Sequence, residues 1–100
     1  MSAYVVHNYN IRDRSRIDEL GPASLPVVEK FGGQICIASH VKPLEGSAFS
    51  HMVVYKFPSM AAAESYYESD ENRKVSELRH ELIDGTVVLV PGFESSNWTG

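Results

Sequence analysis

The sequence is poor in cysteine, with Cys36 as the only one in 100 residues. A single cysteine excludes an internal disulfide, so the chain must rely on a hydrophobic core for its stability. Cys36 lies in the apolar run at 35–38, which predicts a buried structural thiol, because cysteine packs as a small hydrophobic residue. The sequence also lacks Cys and His at metal-ligand spacing, so we expect neither a metal site nor a cofactor.

Long hydrophobic runs and clusters of basic residues are also missing. No stretch approaches the roughly 20 apolar residues that cross a membrane, and residues 1–7 are too polar and too short for a signal peptide. The chain has 9 Lys and Arg against 13 Asp and Glu, a net charge of −4. Nucleic-acid binding needs a basic surface that this composition does not offer. We therefore expect a cytoplasmic protein that binds neither nucleic acid nor a membrane.

The apolar periodicity predicts six elements in the order strand, helix, strand, strand, helix, strand. The strands are predicted over 3–9, 34–41, 50–57 and 86–90. Hydrophobic residues recur at helical spacing from residue 17 to 31, with Asp13 as the cap before them and Gly32-Gly33 as the end. Proline at positions 22 and 26 predicts that this first helix is kinked or divided.

Two serines divide the second helical region. Ser59 predicts a helix N-cap directly after the third strand, and Ser69 predicts a break with a second cap. Asp84-Gly85 then predicts a turn before the last strand.

This order is typical of the α+β, ferredoxin-like βαββαβ sandwich, an antiparallel four-stranded sheet with its helices on one face. We expect a single domain over residues 1–100, with a core at about 3–92 and a polar C-terminal tail at 93–100. The strands are apolar at successive positions, as in sheets that are covered on both faces. Because the helices cover one face, a second copy of the chain is the simplest cover for the other. The pattern therefore predicts a homodimer through the sheet face.

Several segments carry a family likeness in their order and spacing. The most specific is Phe57-Pro58-Ser59, which opens a helix directly after a strand. The others are Ala3-Tyr4-Val5-Val6 leading to Asp13, Phe31-Gly32-Gly33-Gln34, Val53-Val54-Tyr55-Lys56, Ala62-Ala63, Tyr66-Tyr67, Leu78-Arg79 and the run at 87–92. On these residues the chain resembles the domain of unknown function 1330 family, within the dimeric α/β barrel group of ferredoxin-like proteins.

The resemblance implies the fold and a homodimer but no settled activity. The wider barrel group includes cofactor-free monooxygenases, lactone isomerases, polyketide cyclases and dehydratases, which bear on this chain only by analogy of fold. Three positions depart from the family's usual pattern: Asn8 replaces an acidic residue, Ala38 an arginine and Lys56 a glutamate. If the polar residues that the family usually has at these positions form a site, this chain has different residues there.

Four side chains are the candidates for chemistry. His51 or His40 is the candidate base, since histidine titrates near neutral pH. Arg79 is the candidate carboxylate anchor, because its planar guanidinium can donate two parallel hydrogen bonds to a carboxylate. Tyr67 is the candidate hydrogen-bond donor. Each has a plainer interpretation: the histidines as solvated surface groups, Arg79 in an ion pair, and the tyrosine in core packing.

These residues support two hypotheses of different class. The first is a small cofactor-free enzyme that acts on a carboxylate or carbonyl metabolite, with its pocket between the sheet and the helices. The alternative is a non-catalytic dimer that binds a small molecule or has a structural role. The sequence names neither the reaction nor the substrate.

Overall fold

A computed structural model describes residues 1–98 of the chain, so the last two residues of the predicted polar tail lie outside the described part. The strands and helices, in chain order, are β1 (Ala3–Ile11), α1 (Leu20–Lys30), β2 (Gln34–His40), β3 (His51–Phe57), α2 (Met60–Glu68), α3 (Asp70–Leu82) and β4 (Ile83–Pro91). Short 3-10 segments precede α1 (Arg14–Glu19) and follow β4 (Ser95–Asn97).

The four strands form one antiparallel sheet in the order β2-β3-β1-β4. β1 is central and pairs with β3 on one side and β4 on the other. β2 and β4 are the edges. This order and the α+β composition confirm the predicted ferredoxin-like sandwich.

The hydrophobic core lies between the sheet and the helices. Alternate residues of β1 face the helices, because side chains along a strand alternate between its two faces. The buried cluster consists of Ala3, Val5, Val28, Tyr55, Phe57, Ala63 and Tyr66. Burial of each large apolar side chain contributes about 1.5–3 kcal/mol.

The opposite side of the sheet, which we call the open face, is covered by no helix of residues 1–98. Register pairing places Val6 of β1 between Val54 of β3 and Val88 of β4 on this side. Ile37, Val88 and Val90 are 46%, 49% and 42% exposed. The strands are therefore apolar on both faces, as the sequence pattern predicted.

The predicted helix caps are confirmed. The Ser59 hydroxyl accepts from the Ala62 amide at 3.0 Å, and the Ser69 hydroxyl accepts from the Asn72 amide at 3.1 Å. Asp13 accepts from the Ser15 amide at 3.0 Å and begins the 3-10 segment. Each cap satisfies an amide that would otherwise lack a partner at a helix start.

The division of the first helical region is also confirmed, although Pro26 does not cause it. The 3-10 segment passes into α1 at Leu20, whereas Pro26 lies inside α1. Pro22 is in the first turn of α1, where the missing amide hydrogen costs nothing.

Two predictions were wrong. Asp84-Gly85 form no turn, because α3 passes directly into β4 and both residues belong to that strand. Gly85 is needed for a close approach: a Cβ there would lie 1.9 Å from the carbonyl oxygen of Asn8. Cys36 is exposed instead of buried, because β2 is an edge strand and its register shifts between Ile35 and Ile37.

Gly85→Ala is expected to destabilise the fold by about 3 kcal/mol, because the added methyl group meets backbone atoms of β1 that cannot move aside. Gly21→Ala is the matched control, since nothing lies within 4 Å of its Cβ position in α1. Alanine there should be neutral or stabilise the helix by up to about 1 kcal/mol. Urea unfolding of both variants measures the difference. Equal stabilities would contradict the β1–β4 register.

Candidate functional site

A cleft of about 190 Å³ lies between the sheet and the helices, beneath the start of α1 and beside α3. Most of its wall is apolar. The polar side chains in the wall are His7, Tyr9, Ser24, Tyr55, Tyr66 and Arg79. They come from three helices and two strands that are far apart in sequence.

Arg79 is the one charged side chain in the wall of this cleft. It lies on the inward face of α3, which also buries Asn72, Val75 and Leu82, and it is only 5% exposed. Its Nη2 donates to the Ser76 hydroxyl at 2.6 Å. Among residues 1–98 no carboxylate pairs with it, although five other ion pairs form on the surface. The cleft therefore contains a buried positive charge with no counter-ion in the described part of the chain.

His7 lies on β1 and is 5% exposed. Its Nε2 is shielded from water and has no hydrogen-bond partner in the described part of the chain. Burial, and then the positive charge of Arg79, lower the pKa of His7 from 6.5 to about 4. At neutral pH the ring is therefore neutral.

Two of the three tyrosines in the wall, Tyr55 and Tyr66, form a series of edge-on ring contacts that begins at His7. The ring of Tyr55 meets the ring of His7 edge-on, with centroids 5.6 Å apart, and Tyr66 meets Tyr55 in the same way at 6.3 Å. Burial raises the pKa of both phenols, so both remain protonated at neutral pH. Each is thus a hydrogen-bond donor held in place by packing.

His40 and His51 lie at one end of this cleft. They are the last register pair of β2 and β3, with ring centroids 4.2 Å apart. Ala38 lies two residues before His40 on β2, and Val53 lies two residues after His51 on β3. Both are in the wall of the cleft. Tyr9, also in the wall, stacks on His51 at 5.3 Å.

Tyr67 lies elsewhere. It is 44% exposed on α2 and borders a separate groove of about 270 Å³ between α2 and β4. Of the four candidates from the sequence, the structure thus places Arg79 in the cleft, His40 and His51 at its end, and Tyr67 outside it.

His7, Tyr55 and Tyr66 are not among the site residues that the sequence predicts. The signal for His7 was present in the alternation of β1, because Ala3, Val5 and His7 share the inward face. A polar residue in an inward register position indicates a functional candidate. Tyr66 and Tyr67 could not be told apart without knowing which face α2 turns to the sheet.

The described residues contain neither a metal-binding cluster nor a membrane-spanning helix. Within residues 1–98 no three His, Cys, Asp or Glu side chains are grouped so that they would hold a metal ion. No helix in that range has the length and hydrophobicity to cross a membrane.

Solved structures share the fold at low sequence identity. A protein of unknown function from Rhodopseudomonas palustris is 18% identical with a TM-score of 0.74, covering 93% of this chain and 83% of that one. SnoaB, a cofactor-independent oxygenase from Streptomyces nogalater, is 6% identical with a TM-score of 0.70, covering 97% and 98%. A dimeric ferredoxin-like protein of unknown function from Jannaschia sp. CCS1 is 11% identical with a TM-score of 0.63, covering 92% and 100%. At these identities the likeness shows the fold alone.

Sequence comparison gives the family but no activity. No curated protein matches the chain. The family model described as Domain of unknown function (DUF1330) matches residues 2–93, nearly the whole sequence. The chain therefore belongs to the DUF1330 family.

Proposed function

We propose that this protein is a homodimeric, cofactor-free enzyme that binds a small organic acid in the cleft and removes a proton from it. The observation that carries the proposal is Arg79, buried in the cleft wall without a carboxylate partner among the described residues. An arginine cannot lose its charge inside a protein. A buried, unpaired charge is costly, and an anionic ligand supplies the missing counter-charge.

The rest of the wall defines the ligand. Its volume of about 190 Å³ is below the roughly 300–1,000 Å³ of pockets for drug-sized molecules, so the ligand is small. The wall is largely apolar, with two phenolic donors beside the guanidinium. A carboxylate or enolate with a short apolar body fits this combination.

His7 is the group that we assign as proton acceptor. The His7 ring is neutral at pH 7, because burial and then the repulsion of Arg79 disfavour a second positive charge, and its Nε2 has no hydrogen-bond partner among the described residues. An anion bound to Arg79 cancels that repulsion and raises the pKa of His7. His7 can then take a proton from the carbon next to a carbonyl group, while the electron pair moves to the enolate oxygen beside Arg79 and the tyrosines.

The fold comparison is compatible with this chemistry. SnoaB, which has the same fold, is a cofactor-independent oxygenase. A non-catalytic dimer that binds the same small acids is the alternative, and turnover distinguishes the two.

The homodimer is proposed from the open face. A patch that includes Val6, Ile37, Val88 and Val90 would remain in water in a single chain, and soluble monomers rarely expose such continuous apolar surfaces. Face-to-face packing of two sheets would cover it. The fold is also shared with a dimeric ferredoxin-like protein.

Phenylpyruvate in D₂O tests the enzyme proposal. The wild-type protein is expected to bind it and to exchange the protons beside its carbonyl group for deuterium faster than buffer alone, as followed by proton NMR. Arg79→Met should lose both binding and exchange, whereas Arg79→Lys should retain part of each. Arg73→Met is the matched control, because Arg73 lies on the same helix in an exposed ion pair with Asp70.

The outcomes of this experiment separate the hypotheses. Binding that needs Arg79 without accelerated exchange would support the non-catalytic alternative. Equal binding by wild-type protein, Arg79→Met and Arg73→Met would contradict the anion site itself.

The burial of His7 predicts a pH dependence of stability. The folded pKa of about 4 lies below the ordinary value of 6.5, so below pH 6.5 the unfolded chain binds a proton that the folded chain does not. The free energy of unfolding should therefore fall between pH 6.5 and 4, by up to roughly 3 kcal/mol, and His7 should contribute no slope above pH 6.5. Urea unfolding at pH 7.5, 6 and 5 measures this. In His7→Gln most of the slope should vanish, and an unchanged slope would refute the assignment.

Val88→Glu is expected to convert the dimer to monomers, because it places a charge within the apolar patch of the open face, on edge strand β4, where Val88 is 49% exposed. Leu44→Glu is the matched control, since Leu44 is 86% exposed in the loop between β2 and β3. Size-exclusion chromatography with light scattering gives the masses. A monomeric wild-type protein, or a Val88→Glu variant that remains dimeric, would contradict this interface.

A further inference from the structure

We infer that His40 and His51 together form a binding site for a first-row transition-metal dication such as Zn²⁺. The two residues lie 11 positions apart, so their spacing in the sequence gives no sign of a site. The β2–β3 register makes them direct neighbours, with ring centroids 4.2 Å apart. This site is independent of the reaction proposed above.

The hydrogen bonds around Ser50 indicate the tautomer of the His51 imidazole. The Ser50 hydroxyl lies 3.2 Å from the carbonyl oxygen of Tyr9 and 2.7 Å from Nδ1 of His51. A hydroxyl has one hydrogen, and the carbonyl can only accept, so that hydrogen goes to Tyr9. In the arrangement that satisfies both contacts, Nδ1 of His51 carries its own proton and donates it to Ser50.

This tautomer leaves the Nε2 lone pair of His51 available for a metal. Histidines that bind metals usually donate their other ring N–H to an oxygen, which orients the ring and raises its basicity. Ser50 provides that oxygen. On the other side, Tyr9 stacks on the His51 ring at an interplanar angle of 14°, which restrains its rotation.

His40 supplies the second nitrogen. In the described part of the chain neither of its ring nitrogens has a hydrogen-bond partner, and the residue is exposed on the edge strand. Two nitrogens on one tetrahedral metal lie about 3.4 Å apart, given metal–nitrogen distances near 2.1 Å. Since Ser50 and Tyr9 hold the His51 ring, the exposed His40 side chain supplies the rotation that this distance requires.

The donor set selects the class of ion. Imidazole nitrogen suits Zn²⁺, Ni²⁺ and Cu²⁺, whereas Mg²⁺ and Ca²⁺ require oxygen ligands that this pair does not offer. With two protein ligands, the remaining coordination positions stay open to water or to a small molecule. The pair lies on the helix-facing side of the sheet, so packing through the open face leaves it accessible.

Titration with ZnCl₂ alone tests the site, using protein without a purification tag. Nitrogen-resolved NMR of the imidazoles should show changes at Nε2 of His51 and at one ring nitrogen of His40, saturating at one ion per chain. His40→Gln and His51→Gln should each weaken binding at least tenfold. His80→Gln and Cys36→Ser are controls, because both residues are exposed and neither belongs to the pair.

A dispersed NMR spectrum of each variant shows that it has folded, so lost binding is not an effect of unfolding. MgCl₂ at the same concentrations should change neither ring. Binding that survives in His40→Gln and His51→Gln, or that disappears in Cys36→Ser, would overturn the assignment. The absence of any change at both rings up to millimolar ZnCl₂ would do the same.

Discussion

The positive charge of Arg79 inside the sandwich is the constraint on which the site depends. Arg79 is 5% exposed, and its guanidinium has one hydrogen-bond partner among the described residues, the Ser76 hydroxyl. In the interior such a charge acts strongly on its neighbours, because little water screens it. Burial is the larger cause of the lowered pKa of His7, and the charge of Arg79 adds to it, so the His7 ring stays neutral. The same charge makes the cleft electropositive in a chain whose net charge is −4. A cleft of one charge sign with apolar walls concentrates ligands of the opposite sign.

The fold brings side chains from several elements into the cleft wall that contains Arg79. β1 is paired on both sides, so His7 is on a strand that two neighbouring strands hold in place. Tyr55 comes from the neighbouring strand and Tyr66 from α2, and their rings pack edge to face. Arg79 occupies a position on α3 whose neighbours on the same face are buried. Four separate elements thus converge on one small volume, which is how a protein of this size builds a preorganised site.

Much of this architecture could be predicted from local sequence. Strand and helix periods gave the element order, and Ser59 and Ser69 were recognised as caps from their position before apolar stripes. The failures have local causes as well. Asp84-Gly85 has the composition of a turn, but the glycine serves a close approach between strands. Cys36 lies in an apolar run, but a register shift on an edge strand leaves it exposed.

The site was harder to predict, because it depends on contacts between distant segments. Arg79 could be proposed as an anion anchor from its chemistry, whereas its burial without a partner depends on how α3 packs. The juxtaposition of His40 and His51 requires the strand register, and the choice between Tyr66 and Tyr67 requires the rotation of α2. Periodicity predicts which residues share a face, but not which faces meet.

The most direct test of the central claim is anomalous diffraction from a crystal of the wild-type protein soaked in sodium bromide. Bromide is a spherical anion, so its shape does not favour one pocket over another. Its position therefore reports where the protein places uncompensated positive charge. We expect a bromide peak in the cleft, in contact with the Arg79 guanidinium. An empty cleft in a crystal whose surface cations do hold bromide would contradict it, as would an Arg79 side chain paired with a carboxylate.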